Sequence, residues 1–117
     1  MLLPEKYILV GKRPVPEPDL VKWAQWYERA ENRVVKQTKL GEATVSTIFL
    51  GIDHRCSGDG PPLLFETMVF GGEHDGWQER YATWEEAEAG HERAVKMVRE
   101  TAPGGAENGL RTLRAVA

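Results

Sequence analysis

Residues 44–70 constrain the fold more than any other stretch of this chain. They read Thr-Val-Ser-Thr-Ile-Phe-Leu-Gly-Ile-Asp-His, then a glycine- and proline-rich break, then Leu-Leu-Phe-Glu-Thr-Met-Val-Phe. β-branched and aromatic side chains fill both runs, and Ser57-Gly58-Asp59-Gly60-Pro61-Pro62 divides them, which is the pattern of strand, loop, strand. Two such strands need a sheet around them and a cover for at least one face. The remaining sequence has to supply both.

With 117 residues the chain suits a single domain with one modest core. The expected division is one α+β domain over residues 1–102 and a flexible tail over 103–117. A hydrophobic share of 41% beside 28% charged residues fits a globular domain in water. No apolar run reaches the length of a membrane span, and the first six residues lack the basic start and apolar centre of a signal peptide. Cys56 is the single cysteine, so an intramolecular disulfide and a cysteine-based zinc cluster are excluded. A reducing, cytoplasmic setting is expected.

The net charge of −3 is unevenly spread: residues 66–92 hold eight acids against one base, Arg80. A nucleic-acid binder needs a basic stripe for phosphates, so that class is set aside. The acidic stretch reads first as a solvated helix surface, and second as a face for a basic partner.

Read in order, Tyr7-Ile8-Leu9-Val10 is a short strand stopped by Gly11, and Pro14, Pro16 and Pro18 hold the next stretch extended. Asp19 is suited to cap a first helix over 20–31, with Leu20, Trp23, Ala24 and Tyr27 on its buried stripe. Trp26 falls off that stripe and is expected to wedge under the proline arm. Strands follow over 34–38, 44–54, 63–70 and 77–82. Short links make them a four-stranded antiparallel meander. Thr83-Trp84-Glu85-Glu86 is a capping box that opens a second helix over 84–100, with Trp84, Ala87, His91, Ala94, Val95 and Val98 on its apolar side.

Strand alternation then assigns faces. If the loop joins its strands at His54 and Leu63, Ile52 stands opposite Phe65 and Leu50 opposite Thr67. Ile48, Leu50, Ile52, Phe65 and Val69 form the core face with Trp77 and Tyr81, beneath the second helix. Phe49, Gly51, Asp53, Glu66, Met68 and Arg80 share the other face. Glycine inside a strand marks close approach of a ligand or another backbone, so Gly51 beside Asp53, Glu66 and Arg80 outlines a candidate notch. The bland alternative is a structural Glu66–Arg80 ion pair, with Gly51 making room for a ring such as Trp23. His91 reads as a hydrogen-bonded core residue, yet His54 at the strand end could approach it, with Tyr81 nearby. Asp53, Glu66, Arg80, Gly51, His54, Tyr81 and His91 are therefore the candidate binding residues. No catalytic residue is assigned. No metal is expected, because the histidine spacing matches no ligand motif, and no cofactor is expected in the absence of a phosphate-cradling glycine loop.

Three strings carry a resemblance. They are Thr47-Ile48-Phe49-Leu50-Gly51-Ile52-Asp53-His54, Pro62-Leu63-Leu64-Phe65-Glu66-Thr67-Met68-Val69-Phe70, and Arg80-Tyr81-Ala82-Thr83-Trp84-Glu85-Glu86-Ala87 with Gly90-His91. Together they resemble a family of small proteins encoded by bacteriophages and prophages, over residues 45–91. The resemblance implies a phage lineage and a place of action inside the host cell. It carries no activity and no site residues across. The resulting expectation is a phage accessory protein that binds a host protein or small ligand without catalysis, such as a counter-defence or host-takeover factor. The alternatives are a small hydrolase using His54/His91 or Asp53/Glu66, and a virion or assembly component. Oligomeric state is left open.

Overall fold

The capping positions act as their residue types dictate. In the computed structural model, which describes residues 5–53 and 60–101, Asp19 Oδ1 accepts hydrogen bonds from the Val21 and Lys22 amides at 3.0 and 3.1 Å. Helix α1 follows as Leu20–Tyr27, and a 3-10 turn, Ala30–Asn32, completes what the periodicity predicts as one helix. At the other end, Glu86 N–H donates to Thr83 Oγ1 at 3.1 Å while Glu86 Oε1 accepts from the Ala82 and Thr83 amides. This satisfies donors that the first turn would otherwise leave bare. Helix α2 then runs as Trp84–Thr101.

The fold is α+β. Strands β1 (Tyr7–Val10) and β2 (Arg13–Pro16) form an antiparallel hairpin, so the proline arm is itself the second strand of a small sheet. Strands β3 (Val34–Leu40), β4 (Ala43–Phe49), β5 (Phe65–Phe70) and β6 (Gln78–Tyr81) form a four-stranded antiparallel sheet in the order β3-β4-β5-β6. Helix α2 covers one face and touches all four strands. Beneath it Val45 and Val69 pack with Ala94, Val95 and Val98, and Phe49 and Phe65 pack with Ala87 and Tyr81. Burying each of these larger apolar side chains contributes about 1.5–3 kcal/mol before entropy is counted.

The register differs from the sequence-based expectation. Phe65 stands opposite Phe49, Glu66 opposite Ile48 and Thr67 opposite Thr47, a shift of three residues along β4. An odd shift turns every β4 side chain to the other face. Val45, Thr47 and Phe49 therefore lie under the helix, and Ile48 lies on the face away from it. The cause is Gly51, whose φ of +78° ends the strand early and starts the connection at Leu50. The β5 and β6 faces are as expected.

Helix α1 does not cover the second face of the sheet. Its Trp26 meets Phe49 edge-on, with ring centroids 5.7 Å apart, and closes the same core that α2 covers. Both helices thus serve one face, and Trp26 packs into that core alongside Tyr7 and Leu9 of the proline-bearing hairpin. Leu20, predicted to be buried, is 60% exposed, because α1 is held by Trp23, Trp26 and Tyr27 alone. Val34, Ile48, Met68 and Phe70 lie on the sheet face away from α2, and Phe70 is 51% exposed.

Candidate functional site

Six of the seven predicted site residues are among the described ones, and they fall into three separate places. Glu66 and Arg80 are cross-strand partners on the face away from α2, and Arg80 Nε donates to Glu66 Oε2 at 3.0 Å. The Glu66 side chain is 11% exposed and that of Arg80 34%, so the carboxylate is shielded while the guanidinium reaches water. This is the pairing expected from the sequence. An acid opposite Ile48 and beside Met68 needs such a partner to offset its desolvation.

Gly51 is not beside that pair; Ile48 occupies the position opposite Glu66. A Cβ on Gly51 would lie 2.8 Å from Tyr27 Cε1 and 3.5 Å from Trp23 Nε1. Trp23 and Tyr27 stack on each other with centroids 4.6 Å apart, and their rings fill the room the glycine leaves. The notch is occupied by the chain itself. Asp53 accepts from the Leu63 amide through Oδ1 at 3.0 Å, tying the two sides of the β4–β5 connection. His54 and Cys56 lie outside the described residues, as does the 103–117 segment.

Tyr81 and His91 lie on the helix-covered face, joined by residues the sequence reading did not single out. His91 is fully buried. Its Nδ1 is 2.7 Å from Thr47 Oγ1 and its Nε2 is 2.8 Å from Thr38 Oγ1. Thr47 Oγ1 is in turn 2.5 Å from Thr67 Oγ1. The Tyr81 hydroxyl donates to Glu79 Oε1 at 3.0 Å. Arg93 Nη2 donates to the same oxygen at 3.1 Å.

A carboxylate can only accept, so Tyr81 donates outward to Glu79. In its neutral form the His91 ring has one donor and one acceptor nitrogen, and the two threonine hydroxyls can serve both. Burial holds the His91 pKa below its ordinary value, outweighing the pull of Glu92. Burial also raises the Tyr81 phenol, with the Glu79 hydrogen bond adding to it and Thr67 opposing. The network keeps both groups neutral and hydrogen-bonded inside the core.

Among the described residues, no three His, Cys, Asp or Glu side chains are grouped to hold a metal ion. None of the described helices is long and apolar enough to cross a membrane. One concavity does stand out at the sheet edge, an open depression of about 480 Å³ between β6 and α2. Residues 79–82 form one wall, Glu86, Ala89 and Arg93 the other, and Pro61 and Leu63 the end. No family model, no curated protein and no solved structure matches this chain.

Proposed function

We propose that this chain is a small phage-type accessory protein that acts in the host cytoplasm by binding a host protein, without catalysis. The lineage rests on the three strings over residues 45–91. The mode of action rests on one observation: the described side chains best able to do chemistry are consumed by structural partners in different places. His91 is bonded through both ring nitrogens, Glu66 is held by Arg80, and Asp53 is held by a backbone amide. A catalytic site needs an acid, a base or a nucleophile converging on a substrate-sized space. Here Glu66 and His91 point to opposite faces of one sheet. The polar groups stabilise a scaffold whose outer surfaces remain for a partner.

The test is co-purification of the tagged full chain from phage-susceptible bacteria, followed by gel filtration. A stoichiometric complex with one host protein, retained by a folded His91→Gln variant, is the expected result. Turnover of a substrate that is lost in folded His91→Gln or Asp53→Asn would overturn it in favour of an enzyme.

A further inference from the structure

Strand β6 is the outer strand of the sheet, paired on one side only among the described residues. The Trp77 and Tyr81 carbonyls accept from Val69 and Leu64, so the odd-numbered residues turn their backbone groups toward β5. By the alternation of an antiparallel ladder, Gln78 and Arg80 turn their N–H and C=O groups outward. The Ala82 amide is taken by Glu86, which closes the free run at that end. Beyond this edge stands α2, presenting Glu86, Ala89 and Arg93 at helical spacing across the depression. A strand edge facing a helix across a groove is the geometry in which an extended peptide adds to a sheet.

We infer that this groove takes an extended segment of the bound host protein, which joins β6 as a fifth strand. The inference rests on the binding reading above and specifies its surface. Alternation fixes the chemistry of the segment. Side chains turned toward α2 meet Tyr81, Ala89 and Leu63, a small apolar floor rimmed by Glu86 and by the Glu79–Arg93 pair, which suits a medium-sized apolar group and no second carboxylate. Side chains turned the other way come beside Arg80, whose Nε is spent on Glu66 while its two Nη groups have no partner among the described residues. Those positions suit a carboxylate, which a guanidinium binds through paired donors. The segment therefore alternates apolar and acidic residues. A second copy of this chain fits poorly. Pairing β6 with β6 brings Arg80 toward Arg80, and pairing it with β3 brings Lys36 and Lys39 beside Arg80 and Arg93.

The experiment titrates the isotopically labelled full chain with a capped hexapeptide of alternating valine and aspartate, read by amide chemical shifts. Saturable shifts are expected at residues 78–82 and around Ala89. Methylating the peptide's backbone nitrogens, or replacing its aspartates by lysine, should each weaken binding about tenfold or more. Ala89→Trp, an exposed helix position, fills the groove and should abolish the shifts while leaving the circular dichroism unchanged. Absence of saturable shifts at millimolar peptide overturns the inference. So do shifts that survive backbone methylation, shifts that map to Val34 and Phe70, and self-association through β6. If the peptide fails while a stoichiometric host complex persists, only the strand-addition mode falls; if no host complex forms, the binding reading falls with it.

Discussion

Gly90 exists for Tyr81: a Cβ placed on this helix glycine would lie 2.1 Å from the Tyr81 hydroxyl oxygen and 2.2 Å from its ring carbon Cζ. The missing side chain lets the phenol lie flat against α2 and reach Glu79. Glycine in a helix ordinarily costs about 1 kcal/mol relative to alanine. Gly90→Ala should nonetheless destabilise the protein, by about 1–3 kcal/mol, because overpacking outweighs the propensity gain. Denaturant unfolding measures it. Tyr81→Phe should rescue the variant only in part, since the ring carbon still collides. A more stable Gly90→Ala protein would contradict the packing described.

The pH dependence of stability follows from His91. Its folded pKa lies below the ordinary value of 6.5 because burial penalises the imidazolium. As pH falls below 6.5 the unfolded chain takes up a proton before the folded one does, so stability is full above that point and declines below it. Thermal unfolding from pH 8 to 5 should show this slope, and His91→Gln should flatten it. Glu92, lowered by its hydrogen bond to Lys36, acts only at lower pH, in the carboxylate range. A profile flat to pH 5 in the unmutated protein would mean His91 ionises freely.

Much of this fold is legible in the sequence, and the reason it stops being legible is specific. The two caps, the four-strand order and the Glu66–Arg80 partnership each depend on local spacing or on neighbouring strands with a short turn. The β4–β5 register does not. Ile48, Leu50 and Ile52 make a more apolar alternating set than Val45, Thr47 and Phe49, so pattern alone favours the register that the structure does not adopt. The choice falls to Gly51, whose positive φ ends β4, and to Trp23 and Tyr27, which demand the space beside it. With the register goes the hydroxyl network. Thr47 and Thr67 read as ordinary strand formers until they stand opposite each other beneath His91. The available signal was a histidine on an apolar helix stripe, which needs hydrogen-bond partners inside the core.

The Glu66–Arg80 pair should behave as a structural unit. Glu66→Gln leaves a shielded side chain beside a charge and should lower stability, and Arg80→Met should do so more mildly, given its greater exposure. In a double-mutant cycle the two changes should couple by about 0.5–3 kcal/mol. Additive effects would show that the 3.0 Å contact contributes nothing.

Thr83 should report on the start of α2. Its hydroxyl accepts from the Glu86 amide at 3.1 Å, and Thr83→Ala should cost about 1 kcal/mol, the usual loss for a cap. Thr83→Asp should restore most of it. Indifference to both changes would place the helix boundary elsewhere.

The most direct test of the binding reading is the affinity of the full chain for its co-purified host protein, measured by calorimetry in two folded variants. His91→Gln alters the best candidate for chemistry, and Ala89→Trp blocks the β6 groove from an exposed helix position, on the groove side of Tyr81 and Glu79. The expected result is a Kd within about twofold of the unmutated value for His91→Gln and at least about tenfold weaker for Ala89→Trp. The reverse pattern, with His91→Gln abolishing the interaction and Ala89→Trp leaving it intact, would contradict both the structural role of the histidine and the groove as the docking surface.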